Sequence, residues 1–391
     1  MNSGFNNIQL EVRKFVAPEY IFGVDSRFWV GQYCQKLGGR KVLLATDNGI
    51  LKTSWLTDIE NKLKEAELDY VIFSSISPNP RDYEVMQGAQ IYIQNKCNMI
   101  LALGGGSVID CAKGIGIIAN NHGDIKEFEG VDKIFRPMPP LVCIPTTGGT
   151  SADVSQFAII NNYEEKYKMA IISKAAVPDV ALIDPYILTS MDKHLSACTG
   201  MDALSHAFEA FVSNASSAFT DLYALEAIRL IDKNLLASIL EPDNIQARGK
   251  IMLASLYAGL AFSNASLGCI HSMAHSLGGY LDLPHGECNA ILLPHVVDYN
   301  YDFASDRYNK ISETLQIPTI GIHNRENKNA LMDYLFQMNK KLGIDKTLQE
   351  KGVTTDLISV LAGKAIKDPC NATNPKPPVK EDLEVIYKEA L

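Results

Sequence analysis

From Lys41 to Ile183 the sequence alternates short apolar runs with longer amphipathic ones, and that rhythm leaves few folds open. The runs at 41–46 (KVLLAT), 70–74 (YVIFS), 99–103 (MILAL), 141–144 and 180–183 read as buried strands. The stretches at 53–67, 83–95 and 107–120 carry apolar residues at helical spacing. A strand followed by a helix and another strand returns the chain in parallel, so the pattern predicts a parallel sheet with helices on its faces. Pro78-Asn79-Pro80 reads as a turn within this region.

After about residue 190 the texture changes. Residues 201–212, 220–240, 247–264 and 329–342 read as helices, with few β-branched runs between them. The boundary is expected near 187–194, giving an α/β nucleotide-binding domain over 1–190 and an all-α domain over 191–391. From Ile251 to Ile270 twenty residues pass without a charge, the length of a membrane span. Ser255, Gly259, Ser263, Asn264, Ser266 and Gly268 dilute that run, so a helix buried on all sides is expected and no membrane is implied. The polar N-terminus lacks the apolar core of a secretory leader. Eight scattered cysteines without a C-x-x-C pair suit a reduced, cytoplasmic protein. A net charge of −9 argues against nucleic acid as the main partner.

Gly104-Gly105-Gly106-Ser107 lies directly between a strand and a helix. Glycines there let the backbone approach an anion, and the helix N-terminus offers free N–H groups to it, so phosphate is the natural guest. A tight turn closed by a capping serine is the plainer alternative, because the loop is neither G-x-G-x-x-G nor a P-loop. Asp47 ends an apolar strand, where ribose-binding acids sit in nucleotide folds; it also suits a turn cap. Pro145-Thr146-Thr147-Gly148-Gly149-Thr150-Ser151 is a second loop of hydroxyls and glycines after a strand, able to bind phosphate or amide without a basic patch.

Asp202 and His206 are four residues apart, as are His271 and His275, so each pair shares a helical face. His285 follows Gly278-Gly279 and Pro284, on or after a turn to which those glycines are assigned. A carboxylate with two or three imidazoles on apolar helices suits Fe(II) or Zn(II), and no thiolate spacing points to structural zinc. Glu209 is placed to orient a ligand or to act as a solvated acid; His295 reads as structural.

Ser77-Pro78-Asn79-Pro80, the run from Gly104 to Lys113, Pro145 to Thr150, Thr199 to His206 and the histidine stretch from Gly268 to Glu287 together resemble the iron-containing (group III) alcohol dehydrogenases, over roughly Phe15 to Ile386. The resemblance implies a dehydroquinate-synthase-like fold with a cleft between its domains. It implies that Asp202, His206, His271 and His285 hold one divalent ion, usually Fe(II), with Zn(II) also possible. His275 falls on the family's non-ligand histidine beside the nicotinamide, a candidate proton relay. Asp47 falls on the acid that holds the adenosine ribose of NAD. Asn79, Gly105, Gly106, Ser107, Asp110, Thr146, Thr147, Thr150, Ser155 and Lys168 fall on other cofactor-contacting positions. Val108, Asp153, Ser155 and Ser276 depart from the usual proline, glutamate, threonine and proline, and none is a proposed ligand. The implied activity is reversible hydride transfer between NAD(H) and a small primary alcohol or diol and its aldehyde. Phe157 lies on a variable substrate-side position, so the substrate is not named. A homo-oligomer, dimer or larger, is expected.

Overall fold

The computed structural model describes residues 13–321 and 325–391; most of the polar N-terminal stretch falls outside them. Among the described residues the strands are β1 Glu19–Phe22, β2 Lys41–Ala45, β3 Asp69–Phe73, β4 Met99–Gly104, β5 Gly130–Val131, β6 Leu141–Pro145, β7 Phe157–Asn162, β8 Tyr167–Ile172 and β9 Val180–Ile183. The helices of the sheet region are α1 Val30–Lys36, α2 Ser54–Glu65, α3 Asp82–Gln94 and α4 Gly106–Asn121. Beyond it come α5 Lys193–Val212, α6 Ala218–Leu240, α7 Ile245–Ala265, α8 Cys269–Leu281, α9 His285–Asn300, α10 Ser305–Thr314, α11 Arg325–Leu342, α12 Ile358–Ala365 and α13 Lys380–Glu389.

The main sheet has the order β1-β9-β6-β4-β2-β3, and all its pairings are parallel. Every residue of β4 and β6 is buried, because helices cover both faces of a parallel sheet and leave no polar side. The chain leaves β2 toward β3 and leaves β4 in the opposite direction, toward β6. The crevice for a ligand therefore opens outside the carboxyl ends of β2 and β4. Asp47 and the glycine loop follow those two strands.

A second, three-stranded sheet, β5-β8-β7, was not anticipated. β7 and β8 form an antiparallel hairpin in which Phe157 pairs with Ile172 and Asn162 with Tyr167. β8 lies against α8 and so joins the sheet region to the helices.

The long helices bury a single apolar core. The uncharged run occupies α7 and the start of α8, which meet at 101° after Ser266, a residue in the left-handed region at φ 62°. Among the described residues no single helix is long and apolar enough to cross a membrane. Gly278 and Gly279 do not form the expected turn; both lie inside α8. They are small because the helix rests directly on β8, where a Cβ on Gly279 would come 2.6 Å from the Tyr167 Cα. The turn falls one step later, at Asp282 to Pro284, and His285 opens α9.

Candidate active site

Three helices converge on one buried point. α5 brings Asp202, α8 brings His271, and α9 brings His285 at its first position. One donor atom from each of these residues lies within 4.8 Å of the others. Asp202 Oδ1 is 3.8 Å from His271 Nε2 and 3.7 Å from His285 Nε2. The Asn289 amide sits among them: its Nδ2 is 2.6 Å from Asp202 Oδ1, 3.1 Å from His271 Nε2 and 3.3 Å from His285 Nε2. Two amide hydrogens cannot serve three acceptors, while one cation can engage all three. Asn289 Oδ1, His206 Nδ1 and His285 Nδ1 are buried without a hydrogen-bond partner.

Glu209, on α5, accepts from His271 Nδ1 at 2.6 Å and from the Ile270 N–H at 2.6 Å. It thus fixes both the ring and the start of α8, and leaves His271 Nε2 facing the centre. Burial alone would lower the His271 pKa, but the Asp202 and Glu209 carboxylates beside it outweigh that and raise it to about 9. Burial also works against the Asp202 carboxylate, yet the surrounding histidines hold it well below the usual range. Burial keeps His206 neutral, with a pKa lowered to about 3. Burial and the nearby Lys168 cation push His285 well below its ordinary value. The donor set fits a divalent ion: one carboxylate with neutral imidazoles around a point where protons alone leave groups unpaired.

His206 stands beside this trio and not within it. Its ring stacks on His271 at 4.3 Å and on Phe262 at 4.3 Å, and its nitrogens are not among the atoms that converge. His275, one turn beyond His271, stacks on His285 at 5.3 Å. Its Nδ1 donates to Asp368 Oδ2 at 2.7 Å, and burial lowers its pKa despite that partner.

The cleft around these groups is lined by Asn79, Gly106, Ser107, Asp110, Thr150, Ser155 and Lys168, together with His206, His271, His275 and His285. The two loops expected to hold a cofactor touch each other: a Cβ on Gly106 would lie 2.6 Å from Thr150 Oγ1, so only glycine fits. Gly105 caps α4, and Gly106 and Ser107 of its first turn line the cleft. Burial raises the Asp110 carboxyl to about 6, with Lys113 opposing. Lys113 is fully buried and donates to the carbonyls of Ser155 and Phe157 at 2.8 and 2.6 Å, which pins the start of β7 beside the site. Asp47, Thr146 and Thr147 stand apart from the histidines, at the ends of β2 and β6. Asp47 Oδ1 accepts from the Gly49 and Ile50 N–H groups at 2.7 and 2.9 Å, so the turn-cap role is present. Thr146 N–H donates to Gly104 O at 3.0 Å, tying the second loop to the first.

Asn289 and Asp368 were missed from sequence. Asn289 lies four residues after His285 on one helical face, a spacing that was visible. Asp368 is 93 residues from its partner His275, and no local pattern joins them.

An α/β sheet region with a nucleotide-type crevice, followed by helices that converge carboxylate and imidazoles on its edge, defines the dehydroquinate-synthase-like class of two-part enzymes. The family description "Iron-containing alcohol dehydrogenase" matches residues 17–185, and its C-terminal counterpart matches residues 196–391. The chain belongs to the iron-containing alcohol dehydrogenase family, and it is an oxidoreductase acting between alcohol and aldehyde. It is 37% identical to a 1,3-propanediol dehydrogenase of Klebsiella pneumoniae, over 95% of this chain and 96% of that one. It is 34% identical to an NAD-dependent methanol dehydrogenase of Bacillus methanolicus, over 96% and 99%. A crystal structure of 1,3-propanediol oxidoreductase superposes with a TM-score of 0.93 at 36% identity, covering 97% of this chain and all of that one.

Proposed function

We propose that the chain interconverts a small primary alcohol or diol and its aldehyde with NAD(H), using one divalent ion, Fe(II) first. The observation that carries this reading is the convergence of Asp202 Oδ1, His271 Nε2 and His285 Nε2 on a point filled by one amide nitrogen. Asp202, His271 and His285 would hold the ion, with His206, whose Nδ1 is buried without a partner beside them, as the fourth ligand. A bound ion of this kind supplies Lewis acidity toward the substrate oxygen. NAD(H) supplies or accepts the hydride.

The chain's own residues do the rest. Gly105, Gly106 and Ser107 at the N-terminus of α4 bind the diphosphate, with Thr146, Thr147 and Thr150 around it. Asp47 has Oδ2 available for the adenosine ribose, since Oδ1 caps the turn. Asn79, Asp110, Ser155 and Lys168 line the nicotinamide end. His275, held by Asp368, passes the alcohol proton away from the substrate oxygen, since an imidazole exchanges protons near neutral pH. Residues 1–190 act as the nucleotide domain and 191–391 as the metal domain, in a homo-oligomer working in the cytoplasm.

The test is NADH oxidation against a panel of short aldehydes, on protein purified without oxygen and with its metal measured. Turnover that rises with bound iron is expected. Metal-loaded protein inert toward every aldehyde would overturn the assignment.

A further inference from the structure

Asn79, which lines the cleft, meets Asp282, and both hold left-handed backbone, at φ 55° and 57°. Asn79 lies in the loop between β3 and α3. Asp282 follows α8, the helix that carries His271 and His275. Asn79 Nδ2 donates to Asp282 Oδ1 at 2.8 Å. Arg81 Nη2 donates to Asp282 Oδ2 at 2.9 Å, and Arg81 Nη1 donates to Asn79 O at 3.1 Å. On its other side the Asn79 N–H donates to Ser107 Oγ at 3.2 Å, in the first turn of α4. An unbroken hydrogen-bonded path therefore runs from the end of the histidine helix to the glycine loop.

We propose that Asp282 is a positioning residue: it straps α8 to the cofactor loop through Asn79 and so sets the spacing between the nicotinamide and the histidine centre. The proposal rests on the reading of this cleft as the NAD site. α8 is anchored to the helical half by Glu209 at its first turn, by Asp368 at His275 and by the Leu361 carbonyl at Ser276, and it meets β8 at Gly279. The strap at Asp282 adds a contact at the far end of the helix, on the side of the glycine loop, and ties that end to the cofactor loop itself. The Asp282 side chain is 55% exposed, so its ion pair with Arg81 contributes little to folding. Hydride transfer is far more demanding, because a misplacement of about 1 Å can cost roughly a hundredfold in rate. Asn79 Nδ2 gives one of its two hydrogens to the strap at Asp282, and the residue also lines the cleft.

The test uses Asp282→Ala and Asp282→Asn in the metal-loaded enzyme, read by NADH fluorescence titration, kcat, metal content and unfolding midpoint. Asp282→Ala is expected to weaken NADH binding about tenfold and to lower kcat by ten- to a hundredfold, with metal content and midpoint unchanged. Asp282→Asn keeps an oxygen for Asn79 and restores most of both losses. In a double-mutant cycle, the losses from Asn79→Ala and Asp282→Ala are expected to be less than additive, because the two share the strap. NADH affinity and kcat within twofold of the parent in Asp282→Ala would overturn the strap, as would strict additivity or a fall in midpoint that accounts for the loss. A parent enzyme that does not bind NADH would instead sink the cofactor reading on which the strap depends.

Discussion

Glu209 and His271 lie on different helices and meet at 2.6 Å, with the same carboxylate also holding the first turn of the histidine helix through Ile270 N–H. One acid therefore sets both where α8 begins and how its first histidine is turned. Replacing Glu209 with Gln should weaken metal affinity about ten- to a hundredfold, without loss of the fold. Metal titration by competition with a chelator checks this; unchanged affinity would mean the ring is held by packing alone.

His271→Ala and His285→Ala should each lose bound metal while far-ultraviolet circular dichroism stays native. His206→Ala asks a sharper question, since its nitrogens stand outside the convergent trio. Metal loss in that variant is expected, because the ring stacks on His271 beside the centre and its Nδ1 is buried without a partner. Full occupancy would leave the ion with three protein ligands.

His275→Ala should keep its metal and lose about 10²- to 10⁴-fold in rate, the usual worth of a general acid–base group. Asp368→Asn, which keeps the shape of the partner without its charge, should fall between the two. Metal loss in either variant would recast His275 as part of the ligand shell.

Asp47 combines two duties that one substitution can separate. Asp47→Gly should relax the preference for NAD over NADP, since no carboxylate would face the 2′-phosphate. It should also cost about 1 kcal/mol of stability from the lost turn hydrogen bonds. Asp47→Asn retains the capping oxygen, so it should shift cofactor preference with little change in urea midpoint. An unaltered preference in both variants would remove Asp47 from the ribose site.

Gly279→Ala places a methyl 2.6 Å from the Tyr167 Cα, a backbone atom that cannot swing away. A loss of about 1–3 kcal/mol is expected from overpacking, measured by denaturant unfolding. A neutral result would show that α8 can lift from β8.

Much of this site could be read from the chain alone, for definable reasons. β2, β4, β6 and β9 announce themselves because buried parallel strands are continuous apolar runs, and the half-buried edge strand β3 is still apolar along YVIF. The glycine loop and the four-residue spacings of Asp202–His206 and His271–His275 are local, so periodicity exposes them. The β7–β8 hairpin escaped because its apolar halves, FAII and MAII, sit inside an alternation that suggested only parallel strands. Gly278-Gly279 reads as a turn by composition, whereas close approach of helix and strand is a tertiary demand that composition does not encode. Asp368 and the strap at Asp282 depend on contacts between segments far apart in the chain, 93 and 203 residues respectively.

The convergence of α5, α8 and α9 has a mechanical side. Those helices pack against one another through the core of the helical half, and an ion gripped by all three would rivet them together. Each tenfold excess of free ion over its dissociation constant then adds about 1.4 kcal/mol to the folded state. Heat resistance of this enzyme becomes a gauge of metal supply, and a cell starved of iron would lose the protein itself along with its turnover.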